Sequence, residues 1–291
     1  MPRSTVGLYT NLQGEIELRE VFSIEKTFYC GQLFRFYFRN GAFFLPYLDS
    51  VLKLEENNSK IHYEVFGSYV SKQEVKKILG LDKNINEINS YLAKREPQFK
   101  MVIEFSNGLR IMNLPPYETA ISFIFSIQSS IPIIKKRLDA LSEYIGRYRE
   151  IGGEKFYLFP KSHDLKTLSK NEISLLRLGF REKFFVEFIK NYDETFFDNL
   201  KLLNYQEKRA ELLKIKGIGE KVAQCVLLFS LGELSAFPVD TWLKRGMKYF
   251  FNAVGSERKL TELGQKIFGE FAGYAQEYMY YFLRFSNISF Y

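Results

Sequence analysis

Leu212-Leu-Lys-Ile-Lys-Gly-Ile-Gly-Glu-Lys-Val-Ala-Gln-Cys225 sets two glycines one residue apart between two helical patterns. Helices fit Tyr205–Ile215 and Glu220–Leu231 on either side, so Gly217-Ile218-Gly219 reads as a very tight hairpin. The backbone N–H groups of such a turn, and of the first turn of the helix after it, point outward without intrahelical partners. With a helix dipole behind them they bind a phosphate without any side chain. A contact of this kind positions a chain on DNA and reads no base edge. The competing reading is an ordinary packing corner between two helices.

Two charged residues stand near that hairpin. Lys221 falls in the first turn of the second helix, where the dipole disfavours a cation by about 0.3–1 kcal/mol. The same field favours the neutral amine, the form in which lysine is a nucleophile; a solvated surface lysine is the plain alternative. Asp240 lies in Phe237-Pro-Val-Asp-Thr-Trp242, ahead of another helix, where aspartate is a favoured N-cap. The helix after the hairpin is about 18 Å long at ~1.5 Å per residue. Gly232 ends it, and the chain from there to Asp240 spans up to about 26 Å when extended. It can therefore return Asp240 to the end at which Lys221 stands. An amine and a carboxylate facing each other beside a phosphate-binding turn make a candidate active site.

Composition sets the outer bounds. The chain has 291 residues, 41 Lys+Arg against 34 Asp+Glu and a formal net charge of +7. A pI near 9.1 meets the rough threshold for suspecting a nucleic-acid partner. At 46% hydrophobic and 17% aromatic residues it is not a disordered or low-complexity chain. Two cysteines, Cys30 and Cys225, make neither a disulfide framework nor the four-Cys ligand set of an iron–sulfur cluster. With His62 and His163 as the only histidines, a zinc enzyme built on Cys and His is not expected. No run of about 18 apolar residues occurs and Met1-Pro-Arg-Ser opens no signal peptide. The expectation is a soluble, cytoplasmic protein, nucleoid-associated in a prokaryote, with no membrane partner.

The first hundred residues alternate like strands in Glu15–Phe22 and Lys60–Phe66. Phe34–Phe38 and Ala42–Leu45 flank Arg39-Asn40-Gly41, and Asn-Gly is a strong hairpin signal. Glu56–Ser59 marks a second turn, and helices fit Lys72–Leu81 and Ile85–Lys94. After Asn113-Leu-Pro-Pro116 the apolar spacing turns helical. Helices are predicted over Lys170–Leu178, Glu182–Asn191, Thr241–Phe250, Arg258–Phe268 and Tyr274–Phe285 besides the two at the hairpin. Gly152-Gly153 is read as punctuation among them. The predicted architecture is α+β: an antiparallel sheet domain over residues 1–112, then two all-helical subdomains, 113–212 and 213–291, with a cleft between them that is the natural place for a site.

Gly-Ile-Gly-Glu-Lys-Val-Ala followed by Pro-Val-Asp resembles the helix–hairpin–helix DNA glycosylase superfamily, whose bifunctional members carry the lysine. The lack of a four-cysteine cluster argues against its endonuclease III and MutY branches. Cys30-Gly-Gln-Leu-Phe-Arg35 is similar to the Ser-Gly-Gln-Ser-Phe-Arg motif of 8-oxoguanine DNA glycosylases of the human type. Ala272-Gly-Tyr-Ala-Gln276 is similar to their Ala-Gly-Trp-Ala-Gln helix, and Leu178-Gly-Phe-Arg181 to the segment carrying their wedge. The resemblance implies a double-stranded DNA partner containing oxidised guanine and base flipping into a pocket. It also implies attack by Lys221 on the sugar C1′ and a Schiff base that permits β-elimination. Asp240 would stabilise charge developing on the sugar, and neither role needs a metal or cofactor.

Further roles come with the likeness. The carbonyl of Gly31 would accept the N7–H that 8-oxoguanine has and guanine lacks. Gln276 would bond the Watson–Crick edge, Cys225 and Tyr280 would sandwich the ring, Phe180 would act as wedge and Arg181 would approach the orphaned cytosine. Gln128 faces the opposite strand in the same scheme. Without the family, Gly31 reads as a turn glycine, Cys225 as a buried small hydrophobe, and Gln276 and Tyr280 as helix-face residues. The pattern is broken where Gln128-Ser129-Ser130 replaces three asparagines and Ile133 replaces an arginine that reads cytosine. Trp242 replaces a histidine, and Tyr280 adds a hydroxyl to a phenylalanine position. The loss at Ile133 implies weak selectivity for the opposite base. The family suggests a monomer. Rival readings are a glycosylase of other specificity, such as one for alkylated bases, and a non-catalytic DNA-binding module.

Overall fold

The computed structural model describes residues 12–57 and 59–286. The chain opens with β1 (Leu12–Glu17), a short helix α1 (Ile24–Tyr29), and four strands, β2 (Tyr37–Arg39), β3 (Ala42–Tyr47), β4 (Ser50–Asn57) and β5 (Lys60–Gly67). Helices α2 (Lys72–Ile78), α3 (Ile85–Arg95), α4 (Lys100–Phe105), α5 (Pro116–Ser126) and α6 (Ile131–Ile145) follow. A small hairpin of β6 (Tyr148–Ile151) and β7 (Glu154–Tyr157) precedes α7 (Ser162–Leu165), α8 (Lys170–Leu175), α9 (Glu182–Asn191) and α10 (Glu194–Leu200). The remainder is helical: α11 (Tyr205–Leu213), α12 (Glu220–Ser230), α13 (Thr241–Phe251), α14 (Glu257–Phe268) and α15 (Ala272–Phe285). No helix among the described residues is long and apolar enough to cross a membrane.

These elements form two compact units, each assembled from separate stretches of chain. Among the described residues the first holds 12–19, Leu33–Lys76 and Leu114–Leu200; the second holds Glu20–Gln32, Lys77–Asn113 and 201–286. In the first unit the five strands pair antiparallel in the order β1-β5-β4-β3-β2. The β2–β3 turn works as its sequence predicts: Asn40 and Gly41 both take positive φ, at 49° and 82°, the requirement of a two-residue hairpin with matching twist. Phe44 of β3 stacks on Phe156 of β7 with ring centroids 4.4 Å apart. Ala42, Val51 and Leu158 complete that apolar cluster.

The second unit is helical. Ser23 caps α1 by accepting from the Lys26 N–H at 3.2 Å. Phe99 packs against Phe268 in a tilted arrangement at 5.0 Å, and Phe268 stacks on Phe237 at 6.1 Å. Arg95 ties α3 to the end of α14 through the carbonyls of Ile267 and Lys266, at 2.7 and 2.9 Å.

Two expectations are corrected. The strand predicted over Glu15–Phe22 stops at Glu17, because Ser23 supplies an N-cap and the chain turns helical. The stretch after Asn113 is not wholly helical either: Gly152 and Gly153 take φ of 57° and 82° and close the β6–β7 hairpin, the same turn chemistry as at Asn40-Gly41.

Candidate active site

The hairpin has the geometry its two glycines imply. Gly217 sits at φ +92°, where a side chain is strained. Gly219 is the N-cap of α12 with extended backbone and makes no side-chain cap bond. A Cβ built on Gly219 would meet nothing within 4 Å, so no packing demands a glycine there. Its lack of a side chain leaves the first amides of α12 open to an incoming group. Glu220 anchors the hairpin from behind, its Oε1 accepting from Arg209 Nε at 2.9 Å and from Gln224 Nε2 at 2.8 Å. These bonds outweigh partial burial and hold its carboxyl below the usual range.

Lys221 and Cys225 are one helical turn apart on α12 and share a side-chain hydrogen bond. Burial pushes the Cys225 thiol up to about 12 against the opposing charge of Lys221, with Asp240 adding to the rise. The thiol is thus an apolar wall in a site that also feels Asp240. The aspartate is the N-cap of α13, its Oδ1 accepting from Leu243 N–H at 2.9 Å, so the plain N-cap reading holds alongside the placement near α12.

How the loop after α12 delivers Asp240 is visible in Gln224, which is fully buried. Its Oε1 accepts from the Phe237 N–H at 3.0 Å and from Tyr205 Oη at 2.9 Å. The Phe237 carbonyl accepts from Thr261 Oγ1 at 2.9 Å, and Gln265 Nε2 donates to Ser235 O at 3.0 Å. The strand-like run into Asp240 is therefore fixed from α12 on one side and α14 on the other. The sequence gives no sign of this: a glutamine four residues from a glutamate on a helix reads as surface.

Gly31 lies in the turn after α1 at φ +104°. The Gln32 amide pins this turn, donating to the carbonyls of Thr27 and Arg110 at 2.9 and 2.8 Å and accepting from the Met112 N–H at 2.8 Å. A Cβ on Gly31 would meet Tyr280 Cε1 at 3.0 Å and Oη at 3.1 Å, so the Tyr280 ring lies directly against the glycine. Arg284 Nη1 donates to Tyr280 Oη at 3.0 Å, giving the hydroxyl of this tyrosine its partner. Gln276 is 4% exposed and its Oε1 has no hydrogen-bond partner. A buried polar atom without a partner costs about 1–3 kcal/mol, and a ligand that donates to it removes that cost. Glu277, next in sequence, is buried as well and couples electrostatically to Asp240 and Lys221.

The second unit thus carries Gly31, Gly217, Gly219, Lys221, Cys225, Asp240, Gln276 and Tyr280. Gln128, Phe180 and Arg181 lie in the first unit. There Gln128 is exposed with φ 48° and Phe180 is 47% exposed, while Ile133 is an exposed apolar side chain. Arg181 is buried, and its guanidinium donates to the carbonyls of Ile127, Leu178 (3.2 Å) and Gln128 (2.6 Å). It stacks over Phe180 at 4.5 Å, so it braces both neighbours. Residues the sequence reading missed are Gln224, Glu277 and Arg284. Among the described residues no cluster of three or more His, Cys, Asp and Glu side chains could hold a metal ion.

The second unit thus joins a bare-amide helix–hairpin–helix to a lysine, a capping aspartate and a buried polar cradle. Residues 15–120 match the family model described as 8-oxoguanine DNA glycosylase, N-terminal domain. The chain is 30% identical to the apo 8-oxoguanine glycosylase/lyase of Clostridium acetobutylicum, covering 94% of this chain and 98% of that one with a TM-score of 0.83. It belongs to the 8-oxoguanine DNA glycosylase family. The same Clostridium acetobutylicum enzyme bound to duplex DNA with cytosine opposite 8-oxoguanine matches at 29% identity over 97% of this chain and 99% of that one, with a TM-score of 0.86. N-glycosylase/DNA lyase OGG1 of Arabidopsis thaliana is 27% identical over 216 residues, 69% of this chain; the matched stretch spans 59% of that protein's length.

Proposed function

We propose that the protein is a bifunctional 8-oxoguanine DNA glycosylase/AP lyase acting on duplex DNA as a monomer. The observation that carries this reading is the gathering of Lys221, Asp240, the pinned Gly31 turn and the unpartnered Gln276 Oε1 on one unit. The hairpin amides hold a backbone phosphate and the target nucleotide turns out of the stack. The Gly31 carbonyl accepts N7–H of the lesion, where guanine would present a lone pair. Gln276 takes the base edge, and Cys225 and Tyr280 face its two sides.

The neutral amine of Lys221 attacks C1′. Its lone pair forms the new C–N bond as the glycosidic bond breaks, and that electron pair leaves on the base nitrogen, which takes up a proton. Opening of the sugar ring gives the Schiff base. Loss of a C2′ proton then expels the 3′ phosphate and nicks the strand, and water releases the amine. Asp240 stabilises the positive charge that the sugar develops. On the first unit the exposed Phe180 is the proposed wedge and Gln128 the proposed contact to the opposite strand; Arg181, expected to approach the orphaned cytosine, is instead buried and braces both.

The test is borohydride trapping on a duplex with one 8-oxoguanine opposite cytosine, comparing wild type with Lys221→Gln. A covalent adduct that disappears in the variant is expected. No adduct from wild type, with duplex binding intact, would overturn the lysine mechanism and leave a monofunctional glycosylase or a binding module.

A further inference from the structure

Glu277 has no part in the chemistry above, yet it occupies the same ground. It is 2% exposed, and a glutamate is almost never so buried unless paired. Its Oε1 has no hydrogen-bond partner. The carboxyl instead engages the thiol of Cys30, which is itself fixed by Thr27 O at 3.1 Å and Gln32 Nε2 at 3.2 Å. Cys30 is joined by a single peptide bond to Gly31. The titratable and charged groups facing Glu277 are Cys30 from the turn after α1, Lys221 and Cys225 from α12, Asp240 at the head of α13, and Tyr280 and Arg284 from its own helix. A second carboxyl therefore shares a water-poor space with the proposed nucleophile and its aspartate.

We propose that Glu277 is a positioning residue of the reaction: buried against Cys30, it backs the turn that carries the Gly31 carbonyl, and its carboxyl sets how much negative charge stands beside Lys221. The inference rests on the reading of Lys221 as nucleophile. Burial, reinforced by Asp240, pushes the carboxyl up to about 8, against the lowering influence of Cys30, Arg284 and Lys221. Glu277 holds its proton at neutral pH and loses it on the alkaline side. The ionised form adds a buried negative charge that favours the ammonium form of the neighbouring amine, and an ammonium cannot attack C1′. The alkaline gain expected of a lysine nucleophile is thus cut short in the wild type.

The experiment measures the single-turnover rate of borohydride-trapped adduct formation from pH 6 to 9.5, for wild type and Glu277→Gln. Glutamine keeps the shape and cannot ionise. Ionisation with a midpoint near 8 leaves about a tenth of the acid neutral at pH 9, so the variant-to-wild-type rate ratio should rise about tenfold between pH 7 and 9. A ratio independent of pH overturns the proposal. Infrared difference spectra of wild type give a second readout that needs no DNA: a protonated-carboxyl band present at pH 6, lost by pH 9.5 and missing from Glu277→Gln supports it. Absence of that band at pH 6 overturns it even if the variant does not fold. Failure of wild type to form an adduct at any pH would instead count against the Lys221 mechanism, with the infrared result still deciding the state of Glu277.

Discussion

Replacing Gln224 by leucine separates the delivery of Asp240 from every other feature of the site. The side chain contacts no proposed substrate group, yet its Oε1 receives the Phe237 N–H at 3.0 Å and Tyr205 Oη at 2.9 Å, and its Nε2 bonds Glu220. Leucine fills the same space and accepts nothing. The Phe237 N–H is then buried without a partner, at a cost of about 1–3 kcal/mol. The Tyr205 hydroxyl retains its bond from Gln265, and Glu220 retains Arg209, so the total loss stays near about 2–3 kcal/mol. At roughly 2–4 °C per kcal/mol for a chain of this size class, the melting temperature should fall by about 4–12 °C. The larger effect is kinetic. Freed at Phe237, the run into Asp240 shifts, and a misplacement of about 1 Å costs on the order of 100-fold in rate. Duplex binding through the hairpin amides should change little, because Glu220 still anchors the hairpin. Thermal melts, single-turnover excision and binding to an uncleavable duplex give the three readouts. A destabilised variant that excises at the wild-type rate would refute the claim that Gln224 delivers Asp240.

Other expectations follow from single geometries. Gly217→Ala forces a side chain onto φ +92° and should cost about 1–2 kcal/mol of stability. Gly219→Ala faces open space at an ordinary φ, so it should cost only what alanine loses to glycine as an N-cap while weakening duplex binding; equal effects of the two on stability would sink that distinction. Because Ile133 is an exposed apolar side chain where the human-type family has an arginine, excision rates opposite cytosine and opposite the other bases should agree within a few-fold. Ile133→Arg should restore a cytosine preference, and a strict cytosine requirement in wild type would contradict the argument. Glu277 also makes stability depend on pH. Its folded carboxyl, raised to about 8, binds a proton more tightly than in the unfolded chain, so this contribution is complete below the unfolded value near 4.5, shrinks as pH rises and is gone above about 8. The melting temperature of wild type relative to Glu277→Gln should decline over that window; a rise would show that the acid is ionised in the fold.

The parts legible in the sequence are those governed by local rules. Asn40-Gly41 and Gly217-Ile218-Gly219 dictate turns through backbone conformations that few other residues accept, and both are found as read. The long amphipathic helices were recognisable within a residue or two of their ends. Helix α1 was not, because six residues are too few to show a period and its neighbours continue a strand-like alternation; the Ser23 cap was the signal that outweighed it. Gly152-Gly153 was legible in principle, but its helical surroundings disguised it. Within the site, Lys221 and Asp240 followed from the hairpin and from chain length, whereas Gly31, Gln276 and Tyr280 needed the family likeness. Gln224 and Glu277 escaped both routes, since a polar residue on a helix is ordinarily solvated and their burial is created by distant segments.

Helix α15 explains why those distant segments meet. At Gly273 the helix donates its backbone N–H to Leu234 O at 2.8 Å, and a Cβ there would lie 2.2 Å from Leu228 Cδ1, 2.9 Å from Leu234 O and 3.1 Å from Ala236 O. Backbone oxygens cannot rotate away as a side-chain tip can, so only glycine lets α15 lie against both α12 and the run into Asp240. From that contact the helical repeat does the rest. Glu277, four residues on, meets Cys30, with the buried Gln276 beside it in sequence, and Tyr280, about one further turn along, lies against Gly31 itself. The groups proposed to grip the base and the groups proposed to cut it out are thus set in register by one close approach of backbone. Their relative positions are fixed by the packing before any DNA binds, the preorganisation that electrostatic stabilisation of a charged sugar requires.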